Sequence, residues 1–437
     1  MLGFAESRIQ GSGGASSLFQ IKTTKQTNFT ITIACSTYNR VVIYWGDGTS
    51  TAVSGGTAIT KSWAASGEQT VTITGELDKI TYLTCSNQQV TEATLSSALV
   101  NIAGFVFTDN LNLTELIIPE ECTKIISLYL AGTGLYEIVL PPTVIALSAF
   151  RAFSCPNLTK IDARCITSCT YEFMAYSCPN LTEIDARNAT GNVPFFNVYN
   201  NPLLSSVKIA FTSSTGEFFI HTCPSLTEID LSTCTGSFVF VYTYNSGFAS
   251  LTIPFTNCHT FNSSFCPNLE SIDCPNLASC SNSITVNGCP NLTSFNISNL
   301  AGTIQIIDAN NTAIFSFATK LTTISSILRI YNCPNLTTID VSTLTTVNAL
   351  YCRQNPALNP PSIAHFTSVF SIDFASCGLS QAEVDAVLAD CIIISNTDTS
   401  CDLKLNNTTG SPNAAPSAAG LANKATLISR GWSVTTA

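Results

Sequence analysis

The stretch Cys-Pro-Asn-Leu-Thr-Lys-Ile-Asp at residues 155–162 decides the fold, because the chain repeats it. The same pattern returns as CPNLTEID at 178–185 and as CPNLTTID at 333–340, with near copies between them. Weaker copies extend the series, and the first residue of each copy, the marker, recurs every 21 to 23 residues from Asn87 to Cys377. A fixed period of this length predicts a repeat solenoid, in which each repeat forms one coil.

The marker residue is small and nearly always asparagine or cysteine. We expect it to lie at the bend after a strand with its side chain inward, where an amide or a thiol satisfies backbone groups of the adjacent coil. Buried cysteine behaves as a small apolar residue, so reduced structural thiols are expected. The predicted structural ladder consists of Asn110, Cys155, Cys178, Asn201, Cys223, Asn245, Cys266, Cys289, Asn311, Cys333, Asn355 and Cys377.

Residues ahead of each marker alternate in polarity. Apolar residues stand five and three places before it, as with Phe173 and Ala175, and this period of two predicts a short strand. The outward positions, four and two places before the marker, carry aromatic residues and arginine, which are enriched at binding hot spots. They predict one ribbon on a concave sheet, either a recognition surface, a face packed against another subunit or plain surface. The ribbon residues are Arg151, Phe153, Met174, Tyr176, Asn197, Tyr199, Phe219, His221, Arg329, Tyr331, Tyr351 and Arg353.

The segment LPPTVIALSAFRAFSCPNLTKID, Leu140 to Asp162, places a proline, Val/Ile and Ala-Phe pattern ahead of Cys-x-x-Leu. It resembles the BspA-like, Treponema-type subclass of leucine-rich repeats, whose strand motif ends in Asn or Cys at this place. The resemblance covers roughly residues 80 to 400 and implies a parallel sheet of about fourteen coils, with the solenoid itself at 81–379. Cys274-Pro-Asn-Leu departs from it as an extra copy within a coil.

Residues 380–437 predict an αβ cap that closes the solenoid core. Ser380 to Ile393 begins with a capping serine and has apolar residues at helical spacing, and Ser417 to Gly431 indicates a second helix. The segments Cys401-Asp-Leu-Lys-Leu and Trp432-Ser-Val-Thr-Thr follow these helices and predict the last two strands.

Residues 17–80 predict a small N-terminal β-sandwich. Phe29 to Ala34 and Val41 to Tyr44 alternate as strands, and Trp45-Gly-Asp-Gly-Thr supplies a tight turn. The combination of this turn with a following Gly-x-x-x-Val-x-Ile strand at Gly67 resembles PKD-like immunoglobulin-type domains. That resemblance implies a module that often precedes such repeats in surface proteins.

Composition and charge exclude two classes of partner. Charged residues make up 11% of the 437 residues and hydrophobic residues 45%, with a mean hydropathy of +0.28. The apolar runs nevertheless stay far below the roughly 18 residues of a spanning helix, so we expect no membrane insertion. The formal net charge is −10 and Lys and Arg form no cluster, so we expect no nucleic-acid binding.

No group of residues predicts catalysis, a metal site or a cofactor. The three histidines fall in different coils, which gives a Ser-His-Asp or Cys-His site no support. Aspartates such as Asp162 and Asp185 recur after the motif isoleucine, and a residue repeated in every coil is interpreted as a turn acceptor, not as a glycosidase acid. Asp47 in the Gly-Asp-Gly turn is open to calcium or to turn geometry alone. We expect a non-enzymatic protein.

Three functional hypotheses follow, and the third, an enzyme such as a glycan lyase on a β-solenoid, is the least favoured because no catalytic cluster stands outside the repeat. In the first, the chain is a virion structural and adhesion protein (a phage tail fibre, spike or capsid decoration) assembled in the host cytoplasm. An arm or linker at residues 1–16 and the β-sandwich then bind other virion proteins, and the solenoid binds a host surface glycan or protein. The lack of a signal peptide after Met1 and the nineteen cysteines favour this hypothesis. The alternative is an exported, extracellular or cell-surface bacterial adhesin of the BspA-like type.

Overall fold

The chain is a parallel β-solenoid of about 13 turns of roughly 23 residues with few helices, and this confirms the predicted fold class. It divides into two compact units, residues 1–233 and residues 234–437. The computed structural model describes residues 9–10, 18–36, 40–53, 55–394, 401–407 and 410–437. The expected attachment arm at residues 1–16 lies outside the described residues, apart from a short strand at Ile9–Gln10.

The first unit opens with short antiparallel strands. These are Phe19–Thr23, Phe29–Cys35, Val42–Tyr44, Ser50–Ala52, Ala58–Lys61 and Gln69–Thr74. Their alternating side chains bury an aromatic cluster of Phe29, Trp45 and Trp63, in which the Trp63 ring centre lies 5.6 Å from that of Phe29 and 6.1 Å from that of Trp45. The Trp63 indole N–H donates to the backbone oxygen of Trp45 at 2.9 Å, so the buried polar atom is satisfied.

Both sheets of this N-terminal module continue into the first coil. Phe29–Cys35 pairs antiparallel with the solenoid strand Ile80–Thr84, and Phe19–Thr23 pairs antiparallel with Val90–Thr94. The first coil would otherwise expose unpaired backbone groups along two strands. The N-terminal strands therefore cap the start of the solenoid core.

The coils of the first unit place one strand in the main sheet and one strand on the other side of the core. A 3₁₀ turn at Leu77–Lys79 leads into them. The strands of the main sheet are Ile80–Thr84, Gly104–Val106, Ser127–Tyr129, Ala146–Arg151, Ser168–Met174, Phe195–Asn197 and Ser214–Phe219. On the other side of the core lie Val90–Thr94, Glu115–Ile117, Glu137–Val139, Lys160–Asp162, Glu183–Ala186, Ser206–Ile209 and Glu228–Asp230.

Repetition of one residue type at the same register position fills the core. The rings of Phe150 and Phe173 have centres 4.8 Å apart, and the centres of Phe173 and Phe196 are 5.6 Å apart. Motif leucine and isoleucine residues such as Leu158 and Ile161 are fully buried behind them. Each coil therefore buries its apolar side chains against its neighbours, as a solenoid requires.

The second unit repeats the same plan. The strands of its main sheet are Ser237–Tyr242, Asn257–Asn262, Ser279–Thr285, Ala301–Asp308, Lys320–Arg329, Thr346–Tyr351, Ser371–Asp373, Asp402–Leu405 and Ser433–Thr436. The shorter strands opposite them are Ser250–Thr252, Ser271–Asp273, Ser294–Asn296, Ser316–Ala318 and Thr338–Asp340.

Two helices, Gln381–Ile393 and Ala418–Ser429, form the predicted αβ cap of the second unit. Ser380 and Glu383 form a complete capping box at the first helix, and the Ser417 side chain accepts two backbone N–H groups at the second. Over the part of the chain that the structure describes, neither helix has the length and apolar character needed to cross a membrane.

The extra motif copy at Cys274 repeats a turn, not a coil. In the regular copy, the Leu158 N–H donates to the backbone oxygen of Cys155 at 3.4 Å. In the extra copy, the Leu277 N–H donates to the backbone oxygen of Cys274 at 3.3 Å, directly after the strand Ser271–Asp273. The same four-residue turn thus serves a different corner of the coil.

Candidate functional site

The ladder side chains of the first unit hydrogen-bond the backbone of successive coils. The Asn201 amide donates to the backbone oxygens of Ala175 and Val198 at 2.8 and 2.7 Å. Its oxygen accepts from the backbone N–H of Cys178 at 2.8 Å. The Cys178 thiol in turn donates to the backbone oxygen of Ala152 at 3.1 Å. Asn201 thus satisfies buried backbone groups of its own bend and of the preceding coil, and Cys178 continues this pattern to the coil before.

The second unit contains the same arrangement. The Asn355 amide oxygen accepts from the backbone N–H of Cys333 at 2.8 Å, and its nitrogen donates to the backbone oxygen of Cys352 at 2.8 Å. The Cys377 thiol donates to that same Cys352 oxygen at 3.1 Å. Asn413 continues the ladder in the cap, where its amide oxygen accepts from the backbone N–H of Cys377 at 3.0 Å. The prediction ended at Cys377 and missed this last member.

Three of the ladder cysteines, Cys223, Cys333 and Cys377, are protonated donors. Burial raises the pKa of Cys223 to about 12 and that of Cys377 to about 12. Burial is also the largest influence on Cys333 and raises its pKa. A thiol is a weak donor only while it keeps its proton, so these residues serve the ladder at any physiological pH.

Two of the twelve predicted ladder residues, Asn245 and Asn311, are exposed and do not point inward. Both have left-handed backbone, with φ of 51° and 54°. The inward place belongs to the following residue, Ser246 or Thr312, and the Thr312 hydroxyl donates to the backbone oxygen of Ala309 at 2.9 Å. The correction has a physical reason, since asparagine suits both the left-handed position and the ladder position beside it.

Four residues of the predicted ribbon form a continuous ring stack in the first unit. The ring centres of Phe153 and Tyr176 are 4.6 Å apart with planes at 3°, and those of Tyr176 and Tyr199 are 4.6 Å apart at 5°. His221 extends the stack at 4.8 Å and 9° from Tyr199. We call Phe153, Tyr176, Tyr199 and His221 the aromatic stack. Coil spacing imposes the distance, because side chains at one register position repeat every coil.

Stacking determines which part of each ring meets solvent. Within the stack each inner ring turns its faces towards its neighbours, so the rims of the rings form the half-exposed surface. Partial burial raises the pKa of Tyr176 and lowers that of His221 to about 4, so His221 is neutral at pH 7. The stack therefore offers uncharged ring edges and phenol oxygens to a ligand.

The neighbouring ribbon residues in the first unit bond mainly to one another. Arg151 pairs with the Glu172 carboxylate at 2.6 Å and lies over the Tyr129 ring, 4.6 Å from its centre. Asn197 is only 6% exposed, because its amide is held by Glu217 at 2.9 Å among packed neighbours. The predicted outward place of Asn197 is thus corrected to a covered one.

Phe219 and Met174 complete the predicted ribbon residues of the first unit. Both are half-buried on the face of the main sheet. The Phe219 ring lies beside the stack, with its centre 5.8 Å from that of His221, while Met174 pairs in register with Arg151 on one side and Asn197 on the other. Both residues border the stack without entering it.

In the second unit the predicted residues form ion pairs and a cation–π contact. The Arg353 guanidinium lies 4.8 Å from the centre of the Tyr331 ring. Arg329 pairs with Asp308 at 3.4 Å, and Arg353 is 4.0 Å from Asp373. These arginines are 41% and 47% exposed at the side chain and their acids 9% and 7%, so the basic groups face solvent above nearly buried carboxylates.

Sequence reasoning missed three aromatic residues on these faces: Tyr129 of the first unit and Tyr242 and Tyr244 of the second. All three occupy the outward positions four or two places before the actual ladder residue, Thr133 or Ser246. In the 21-to-23-residue series the markers of these two coils are Gly132 and Asn245, each one residue before the actual ladder residue. Counting back from them selects the opposite face of the strand. Left-handed backbone at Gly132 and Asn245 was the missed signal.

The recurrent aspartates act as turn acceptors, as interpreted from the sequence. Asp230 accepts from the backbone N–H of Ser232 at 3.0 Å, and Asp340 accepts from that of Ser342 at 3.0 Å. In the N-terminal module, Asp47 accepts from the backbone N–H of Thr49, and the Lys61 ammonium holds its pKa at about 2. Within the described ranges, no three His, Cys, Asp or Glu residues are grouped to hold a metal ion.

No protein-family model matches the chain. No curated protein matches it either. Among solved structures, the crystal structure of an internalin from Listeria monocytogenes strain 4b F2365 is similar over 77% of this chain and 85% of that chain, at 11% identity and a TM-score of 0.18. A likeness this distant carries no information about function. The coils, the strands on both sides of the core and the hydrogen-bonded ladder define this chain as a parallel β-solenoid of about 13 turns of roughly 23 residues.

Proposed function

We propose that this chain is a non-enzymatic recognition protein that binds a glycan or protein of a cell surface through the main-sheet face of its solenoid. The observation that carries the proposal is the aromatic stack of Phe153, Tyr176, Tyr199 and His221, half-exposed along four successive coils. Rigid aromatic side chains lose little entropy on binding, and tyrosine is enriched at binding hot spots. A stack fixed by its own neighbours is preorganised for a ligand.

We further propose that the protein is a virion component, such as a tail fibre, spike or capsid decoration, that is assembled in the host cytoplasm. The chemistry of the ladder supports this proposal. Buried thiols such as Cys178, Cys223 and Cys377 act as hydrogen-bond donors, a role that requires the reduced form and suits folding in a reducing compartment. In this proposal the N-terminal region binds other virion proteins.

The recognition proposal is tested with labelled full-length protein on a panel of bacterial strains. The strain bound best by the wild-type chain is then used to compare variants. Tyr176→Phe combined with Tyr199→Phe keeps both rings in the stack and removes two phenol oxygens, and we expect about tenfold weaker binding. Tyr136→Phe, an exposed tyrosine outside the stack, is the matched control and leaves binding unchanged. Equal binding by both variants contradicts the proposed role of the stack.

The virion proposal is tested by gradient sedimentation of material from the native source. We expect the chain in the fraction of phage particles. Recovery from cell envelopes instead contradicts a virion role and favours the exported adhesin.

A further inference from the structure

The main-sheet face of the second unit contains a groove, which forms where two small side chains stand between larger ones. Ile327, Ala349, Ser371 and Asp402 are direct register partners on four adjacent strands. Ala349 and Ser371 are small, so the floor drops between their larger neighbours. The resulting groove has a volume of about 420 Å³, within the roughly 300–1,000 Å³ range of small-ligand sites.

The walls of the groove combine aromatic and planar polar side chains. Two residues beyond the floor, Arg329 and Tyr351 form one wall, and one residue before the floor, Asn348 and Phe370 form the other. Phe370 precedes the strand Ser371–Asp373, and its backbone oxygen accepts a hydrogen bond from Asp402 of the next coil at 3.0 Å. Phe370 is nevertheless 45% exposed. Guanidinium, amide and carboxylate groups therefore lie around the small side chains of Ala349 and Ser371, between the rings of Tyr351 and Phe370.

Charge around the groove is balanced. Arg329 pairs with Asp308 at 3.4 Å, and Asp402 pairs with Lys404 at 3.0 Å. A ligand that carries a net charge gains no unpaired counter-charge here and would have to compete with these ion pairs. A ligand with many hydroxyl groups can accept hydrogen bonds from the guanidinium and donate to the carboxylate while both ion pairs stay intact.

The corresponding row in the first unit is filled. There the Tyr82 ring lies over Gly104, so closely that a β-carbon on that glycine would be 2.5 Å from the ring. Further along the row, Glu172 is covered by its pair with Arg151. The open groove is thus a property of particular residues in the second unit and not a general consequence of the coil.

We propose that this groove is a subsite for an uncharged sugar unit of a glycan ligand. The proposal rests on the proposed recognition function. It specifies the class of ligand that binds at a second site, the groove, in addition to the aromatic stack. The Tyr351 and Phe370 rings contact the C–H groups of the sugar, the Ala349 and Ser371 floor accommodates its ring, and Arg329, Asn348 and Asp402 hydrogen-bond its hydroxyl groups.

The experiment measures binding of the full-length protein to cellotetraose, tetra-N-acetylchitotetraose, mannotetraose and maltotetraose, with tetragalacturonate as the charged comparison. Saturation-transfer NMR and calorimetry report the binding. We expect at least one neutral tetrasaccharide to bind and tetragalacturonate to bind at least tenfold more weakly. Phe370→Ala and Tyr351→Ala each weaken that binding about tenfold, and Ser371→Leu, which fills the floor, abolishes it. Phe315→Ala, an exposed phenylalanine outside the groove, is the control and changes nothing.

Three results overturn the proposal: no neutral tetrasaccharide binds, tetragalacturonate binds best, or the groove variants bind like the Phe315→Ala control. Cell binding separates these results from failure of the proposed function. If the Tyr176 and Tyr199 variant loses cell binding while the groove variants keep both cell binding and tetrasaccharide binding, recognition stands and the groove is not a sugar subsite. If the wild-type chain binds no strain of the panel but binds a neutral tetrasaccharide through the groove, the subsite stands and the cell-recognition proposal fails.

Discussion

The ring of Tyr176 lies parallel to the ring of Tyr199, with centres 4.6 Å apart and planes at 5°. The two residues are 23 positions apart in the sequence and occupy the same register position on successive coils. Coil spacing alone brings them together, so the contact is available to any pair of aromatic residues at these positions. The contribution of this contact to stability is tested by removing a ring, and its contribution to binding is tested by removing only the phenol oxygens.

Removal of one inner ring destabilises the first unit. Tyr176→Ala deletes ring contacts with Phe153 and Tyr199, each worth about 0.5–1.5 kcal/mol beyond the buried area. We expect a loss of about 1–3 kcal/mol, measured by calorimetric unfolding of the full chain. Tyr136→Ala removes an exposed tyrosine without a stack and should cost clearly less. Equal losses for the two variants would contradict a contribution from stacking.

Loss of the Asn201 amide from the ladder destabilises the first unit. Asn201→Ala leaves the backbone oxygen of Ala175 and the N–H of Cys178 without a partner, whereas the Val198 oxygen keeps the Cys223 thiol as a donor at 3.5 Å. Each unsatisfied buried group costs about 1–3 kcal/mol. We therefore expect a loss of at least about 2 kcal/mol for this variant and a smaller loss for Asn201→Cys, which imitates the cysteine coils.

Asn188→Ala provides the control for this comparison. Asn188 also bonds the backbone of the preceding coil, at 2.7 Å to Arg164, but it does so in solvent. Its removal should change the free energy of unfolding by no more than about 0.5 kcal/mol. A cost for Asn201→Ala as small as this would show that the ladder does not hold the coils.

Protonation of His221 weakens the folded state as the pH falls. Burial lowers the pKa of His221 to about 4, below the value of about 6.5 in an unfolded chain. Between these values the unfolded chain binds more protons, so the stabilisation is complete above pH 6.5 and is lost as the pH falls towards 4. His221→Phe keeps a ring in the stack and removes this dependence. Unfolding temperatures of both proteins from pH 7 to pH 4 check the prediction, and parallel curves would contradict it.

The period of the motif predicts the fold, because one coil length and one buried pattern recur along the chain. The local register is harder to predict at coils that lack cysteine. At Asn245-Ser246 and Asn311-Thr312, both residues of the pair suit the bend, since asparagine tolerates left-handed backbone and also serves as a ladder amide. A slip of one residue exchanges the two faces of a strand, and this conceals Tyr242 and Tyr244.

The side-chain arrangement of the site follows less directly from the sequence. The aromatic stack requires only the correct register, and the repeat pattern places all four of its residues at outward positions. The groove depends on the absence of side-chain volume at Ala349 and Ser371 on adjacent strands, which a search for large binding residues passes over. The covered position of Asn197 depends on Glu217, a residue 20 positions away.

Phe265 occupies a backbone conformation that suits asparagine better. Its φ is 56°, and its ring is 62% exposed although it packs over Gly288. The equivalent position in neighbouring coils is Asn245, Asn311 or Asn332, each with φ of 51° to 54°. Left-handed backbone costs most residues roughly 1–2 kcal/mol, and asparagine offsets part of this through local hydrogen bonds. We therefore expect Phe265→Asn to stabilise the second unit by about 0.5–1 kcal/mol.

Two further variants isolate the cause. Phe315→Asn, at an exposed phenylalanine with negative φ, should not raise the unfolding temperature, because it has no left-handed strain to relieve. A β-carbon at Gly288 would lie 2.7 Å from the Phe265 ring, so Gly288→Ala should cost more in the wild-type chain than in the Phe265→Asn background. Equal costs of Gly288→Ala in the two backgrounds would mean that the Phe265 ring moves aside freely. A lower stability of Phe265→Asn than of the wild-type chain would mean that the packing of the Phe265 ring on Gly288 outweighs the backbone strain.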